Sequence, residues 1–437
     1  MNKSFLYKIT PFKVSLYGIL FWLLLYFFAS VNIKKPVGFY PFIYIISSYL
    51  FFMLGALCIK TPKKVTLTLL EDDKKKLLKF LYIIIIIAFL GFIFRFIDKF
   101  YLRGISFSVG SFENRELLTS SGPSMISILS AILNPFSFLP LFIYFYLGVR
   151  KMRLFAICLF LFFASSYEYI TLSSRSGLFL IILFLITYLF YFKKIKINLT
   201  KIFLSVFFIG AFGVFMTNIF INRTEEVHGS KEIAIKHILT KAGFNYTIEP
   251  KKEVITNVIE TDNDIYKALQ LGYVNFSQYY IHGFFEFGYL YNNYEEEHHY
   301  GAYSFHIFAK FFKTIFRTDM NLDKVQKSPP RIGVYTTFFG PIFIDFGWGA
   351  VVFMFLLGLF QKLIFNASMK GKFYYLPLVF YASIVTFFMP VVNFITTAQG
   401  IYIITAFCIF IFVYSILNKD LIFKKKDGSK LYFRLLK

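Results

Sequence analysis

Ten stretches of this chain are apolar enough, and long enough, to read as membrane-crossing helices: residues 14–31, 38–59, 79–97, 125–149, 154–171, 177–192, 202–221, 335–360, 373–394 and 400–417. A helix of about twenty apolar residues spans a bilayer core. Pro135 and Pro140 should kink the fourth run, because proline removes a backbone donor and crowds the preceding turn. Two further apolar runs have a different pattern. Residues 265–291 are aromatic but interspersed with Gly, Asn, Gln and His, and residues 303–316 carry Lys310 and Lys313. In the second run Phe305, Phe308, Phe312 and Ile315 share one helical face. Both are expected to lie on the membrane surface or dip into it without crossing. The expected fold is therefore an all-α polytopic membrane protein in three parts. Residues 1–221 form a seven-span bundle. Residues 222–334 form an external segment with interfacial helices, in which 225–264 is polar and has little core of its own. Residues 335–437 supply three more spans and a basic tail.

Composition sharpens this picture. With 57% hydrophobic and only 16% charged residues, the chain cannot clothe a soluble surface. The net charge of +23 suggests nucleic acid until the charges are placed. On the side of both termini, the short loops and tails hold 27 basic residues against five acidic ones. The opposite short loops hold few basic residues. The positive-inside rule then puts both termini in the cytoplasm, so the charge reports topology and implies no nucleic-acid partner. The basic N-terminus leads into a first helix that reads as retained, with no small-residue cleavage site after it. Cys58, Cys158 and Cys408 fall inside apolar runs and offer no disulfide framework. Heavy use of Phe, Ile, Lys, Tyr and Asn suggests an AT-rich bacterial genome.

Candidate chemistry gathers at the external side. The run SPPRIGVYTTFFGPIFIDFGWGAVV starts at Ser328 and carries Arg331 in a Pro-Pro turn, Tyr335, and a lone carboxylate, Asp345, close to hydrocarbon. Such a group costs about 2.5–3.5 kcal/mol at a bilayer centre, so it needs a partner or a wet cavity. Either a helix cap or a catalytic base would explain it. Arg95, Arg103, Arg175, Arg223 and Arg331 surround the outer mouth of the bundle, and a guanidinium fork suits phosphate. Each could instead pair with a nearby acid. Glu116 and His282 are alternative bases, although a packed structural role is the simpler reading of His282. The run EEEHH at 295–299 lacks ligand spacing and reads as a solvated loop. No cofactor motif occurs.

Three features resemble the bacterial oligosaccharide repeat-unit polymerases of O-antigen and capsule assembly. They are the SSRSGLFL turn at 173–180, a long external loop late in the chain, and YTTFFGPIFIDFGWGAVV at 335–352. The resemblance implies a multi-span, metal-independent glycosyltransferase with no cofactor. Its substrate would be an undecaprenyl-pyrophosphate-linked oligosaccharide at the outer face of the plasma membrane. The five arginines would then hold pyrophosphate, Asp345, His282 or Glu116 would act as base, and Tyr335 and Tyr280 would contact sugar. Membrane lipid, a chain-length regulator and the pathway's flippase are the expected partners. A lipid-linked oligosaccharide flippase or an O-antigen ligase would share much of this architecture. A flippase, however, is expected to show two similar halves, which this chain lacks.

Overall fold

Gly55 and Gly358 face each other where the helices Phe39–Leu57 and Ala350–Met369 run side by side, and this pairing is the backbone of the bundle. A Cβ on Gly55 would overlap the Phe355 carbonyl, and one on Gly358 would overlap that of Phe52. Small residues at such crossings let main chains touch where hydrocarbon supplies no hydrophobic drive between helices. The computed structural model describes residues 3–63, 67–68, 71–108, 110–120, 124–172, 174–192, 199–261, 263–397, 399–417, 422–425 and 430–432.

All ten predicted runs contain helix. Among the described residues six helical segments are long and apolar enough to cross a membrane: Phe39–Leu57, Asp73–Leu102, Met125–Leu147, Met152–Thr171, Phe339–Met369 and Gly400–Leu417. Pro11–Phe27, Ser176–Tyr191 and Phe373–Phe387 are shorter apolar helices. The Asn134–Ser137 stretch is a 3-10 turn containing Pro135, where the kink was expected. Past Phe387 the ninth run leaves the helix. Pro390 cannot donate and restricts the residue before it, and residues 388–397 continue as irregular, largely buried chain before the Gly400–Leu417 helix.

The Leu199–His228 helix runs straight through the expected boundary at 221, so the segment that follows grows out of the bundle without a linker. That segment also has more core than its polar sequence suggested. Phe220, Ile221, Ile235, Ile238, Leu239, Val258, Leu271 and Val274 form a separate buried cluster. Ala234, Ile235, Ile238 and Leu239 of the Lys231–Thr240 helix and Val258 of the Lys252–Glu260 helix are buried, while Ile233 and Ile259 stay exposed, so a short cap buries one face of each. Val31–Ile33 pairs antiparallel with Ile248–Pro250, Asn32 opposite Glu249, and stitches this cap to the loop after the Pro11–Phe27 helix.

Residues 265–291 lie within one continuous helix, Asp264–Asn293. Its second half does more than rest on the surface. Ile281, Phe287 and Leu290 are buried, and the helix packs on Pro11–Phe27, Phe39–Leu57 and Phe339–Phe346. The 303–316 run gives the helix His306–Phe316, with Phe308, Phe311, Phe312 and Ile315 exposed on its apolar side.

Candidate functional site

The Asp264–Asn293 helix carries a buried polar stripe: Asn275, Gln278, His282 and Glu286, spaced three or four residues apart and therefore on one face. The 3-10 turn Gly243–Tyr246 covers that face. Gln278 Nε2 donates to Asn245 Oδ1 at 2.5 Å, and the Phe244 ring lies 4.6 Å from that of His282. His282 Nδ1 stands 2.7 Å from the Gln278 carbonyl. A carbonyl only accepts, so Nδ1 carries the proton and Nε2 is the basic nitrogen of the neutral ring.

One turn further on, Glu286 Oε1 accepts from the Thr247 hydroxyl at 2.9 Å. Its Oε2 lies 3.2 Å from Arg331 Nε. Arg331 also donates to the Gly243 carbonyl at 2.7 Å and lies over the Tyr246 ring at 3.8 Å. Lys35 Nζ sits 3.5 Å from the same ring centroid. It is brought there because the Lys34 and Lys35 amides both bind the Thr247 carbonyl beside the short sheet. Two cations thus lie against one aromatic ring beside one carboxylate. Burial pushes the Glu286 carboxyl above the usual carboxylate range, against the opposing pull of Arg331, Thr247 and Lys35.

Next to this stripe a cavity of about 570 Å³ opens between three backbone segments, 303–307, 333–337 and 393–397. Tyr335 lines it and stands edge-on to Tyr279 at 5.3 Å, with the His282 ring at 5.9 Å. His282 therefore lies one ring behind the cavity wall. Gly283 makes this possible. A Cβ there would come within 2.9 Å of the Val391 carbonyl and 3.3 Å of the Thr337 amide, so a larger residue would push the helix off the cavity floor.

The expected ring of phosphate-ready arginines is mostly committed inside the protein. Arg95 forks onto Glu168 at 2.7 and 2.6 Å, both side chains being nearly buried. Arg103 pairs with Asp98 at 3.1 Å and donates to the Leu118 carbonyl. In low-dielectric surroundings a lone guanidinium is too costly, so an acid partner is the rule. Arg331 is paired too, but 20% of its side chain is exposed and it sits beside the second cation Lys35. The side chains of Arg175, which opens the Arg175–Tyr191 helix, and of Arg223 lie outside the described residues. Arg115, on the Ser111–Ser120 helix, donates twice to the Leu172 carbonyl and lies within electrostatic reach of Tyr335. Its exposed neighbour Glu116 does not line the cavity.

Asp345 is fully buried, and both of its oxygens are taken. Oδ1 accepts the Tyr303 amide and Oδ2 the Ser304 amide, each at 2.8 Å. Its own carbonyl accepts the Tyr300 amide. The carboxylate is thus a loop anchor, and no oxygen faces the cavity. Tyr280 is also off the site: its carbonyl accepts from Trp22 Nε1 at 3.0 Å and its ring packs on Phe21, Phe276 and Phe388. The adjacent Tyr279, one turn before His282, takes the place beside Tyr335. Glu286 was missed as a candidate, although the His282–Glu286 spacing was visible in the sequence. In the 295–299 run, His298 stacks on Tyr294, and among the described residues no group of three or more His, Cys, Asp or Glu gathers to hold a metal.

Helices of this length and apolarity around a buried polar face define an all-α membrane protein. No family model, curated protein or solved structure matches the chain.

Proposed function

We propose that this chain is a metal-independent membrane glycosyltransferase that polymerises undecaprenyl-pyrophosphate-linked repeat units into O-antigen or capsular polysaccharide. In this reading ten helices span a bacterial plasma membrane, both termini are cytoplasmic, and the cavity faces outward. The observation that carries it is the adjacency of an uncharged cavity, a basic imidazole behind its Tyr335 wall, and the Lys35–Arg331 pair one helical turn away.

The saccharide occupies the cavity against Tyr335. Turning of the Tyr335 ring gives the acceptor hydroxyl access to His282 Nε2, which takes the proton as general base. The acceptor oxygen bonds to the anomeric carbon of the donor while the bond from that carbon to the phosphate oxygen breaks. Undecaprenyl pyrophosphate leaves with the electron pair. Arg331 and Lys35 stabilise the charge that develops on it, as fixed cations do best where water is scarce. Glu286 is a positioning residue that aims Arg331. Arg175 and Arg223 remain further candidates for the pyrophosphate, whereas Arg95, Arg103 and Arg115 shape the mouth. Asp345 holds the 300–304 loop and Glu116 has no step.

The test is the surface polysaccharide of cells from which the gene is deleted. A polymerase defect leaves single repeat units on the final acceptor. A flippase defect would leave none outside, and a ligase defect would leave long chains on the lipid carrier alone. Either of those two outcomes overturns the assignment.

A further inference from the structure

Among its described lining residues the cavity holds no Lys, Arg, Asp or Glu. His306 also lines it, and burial and then Lys310 hold that imidazole toward its neutral form; a phosphate placed there would meet no permanent counter-charge in the lining, so the ligand it suits is neutral. One wall is the irregular chain after Phe387, which is buried although it lies between two apolar helices. Non-helical backbone is tolerated at such a place only where it is covered by protein or lines a cavity.

Asn393 sits in that chain, lines the cavity and is only 2% exposed. Its Oδ1 accepts the Ile395 amide at 2.9 Å, and its carbonyl accepts the Thr397 amide and the hydroxyls of Thr396 and Thr397. The side chain cannot be flipped, since its amino group would then face another N–H. This leaves Nδ2, on a residue that lines the cavity, as a covered donor with no hydrogen-bond partner among the described residues. A buried amide donor is costly until an acceptor arrives. Around it the lining is apolar or hydroxylic: Ile395, Ile401 and Pro341 beside Thr336 and Thr337. Thr337 is held at φ +62°, a left-handed conformation that a β-branched residue rarely adopts and that clusters at ligand clamps.

We propose that this cavity recognises a neutral sugar through an acetamido substituent. Asn393 Nδ2 donates to the acetamido carbonyl, and the acetyl methyl packs against Ile395 and Ile401. Only the assignment of that sugar to a repeat unit rests on the polymerase reading.

The full chain in lipid nanodiscs, probed by saturation-transfer NMR with N-acetylglucosamine, N-acetylgalactosamine and glucose, tests the site without measuring polymerisation. At least one acetamido sugar should show its strongest saturation at the acetyl methyl, and glucose should bind at least tenfold more weakly. Asn393→Asp keeps the acceptor for Ile395 and removes the donor, so it should lose about tenfold in affinity. Ile401→Trp, which fills the space and spares the amide, should abolish the signal, with circular dichroism and melting confirming that both variants fold. Equal binding of glucose and the acetamido sugars, or unchanged binding in both variants, overturns the proposal. A protein that binds but makes no polymer would refute only the polymerase; one that polymerises without the preference would refute only this site.

Discussion

Arg331 and Glu286 meet at 3.2 Å across the covered face of the Asp264–Asn293 helix, with the guanidinium lying on Tyr246. The pair joins the Pro-Pro turn that opens the last membrane part to the helix that carries His282. Its pH dependence has a definite sign. Burial raises the Glu286 carboxyl, so its stabilising contribution is fully present below the ordinary carboxylate pKa and is lost as pH rises through the raised value. Glu286→Gln should therefore compare more favourably with wild type at pH 8 than at pH 5. Arg331→Ala leaves the carboxylate unpaired and should cost about 2 kcal/mol at pH 8, and less in acid. Melting curves of the purified variants at both pH values check this. Equal pH dependence in all three proteins would contradict it.

Asp345 gives a prediction of a different kind. Replacing it with Asn keeps one acceptor and loses the other, so one of the Tyr303 and Ser304 amides is left without its partner. The expected cost is about 1–2 kcal/mol, with faster proteolysis in the 299–305 loop. Any loss of activity should track that loosening. A variant that is stable and protease-resistant yet inactive would return Asp345 to the chemistry.

The exposed phenylalanines of the His306–Phe316 helix should contact lipid. An environment-sensitive fluorophore on a cysteine at Phe312 or Ile315, with the native cysteines removed, should be blue-shifted and quenched by brominated lipid. The same probe at Ser230 should stay in water. Identical spectra at the two places would contradict the interfacial reading.

Gly283→Ala should cut polymer formation at least tenfold, because the new methyl meets the Val391 carbonyl and the Thr337 amide on the cavity floor. Gly210, with nothing among the described residues within 4 Å of its Cβ position, should tolerate alanine. Chain-length ladders from complemented cells compare the two. Equal ladders would show that the close approach is not needed.

These contrasts also show what a sequence of this kind makes legible. Long apolar runs, the break in the α-helix at Pro135 and the amphipathic Phe308–Phe312 face were all readable, because each depends on local pattern. The cap around Ile238 and Val258 was not, since its core is completed by Phe220 and Ile221 of the Leu199–His228 helix and by Leu271 and Val274 of the Asp264–Asn293 helix. The arginine ring misled for a physical reason. A sequence shows charges but not their partners, and Glu168 reaches Arg95 only once the bundle is folded. His282 was legible as a candidate, and Glu286 four residues on should have been. Tyr279 and Tyr280 could be told apart only by knowing which face of the helix turns toward Tyr335.

The central claim is that His282 serves glycosyl transfer between lipid-linked units. Purified protein reconstituted in liposomes with a synthetic undecaprenyl-pyrophosphate-linked repeat unit tests it most directly, with product lengths resolved by gel. Wild type should build a ladder of multiple repeats. His282→Gln, which keeps a polar side chain and loses the basic nitrogen, should fold, bind the unit and lower the rate at least a hundredfold. A wild-type protein that builds no ladder from its native unit, or a His282→Gln variant that builds the same one, would contradict the account.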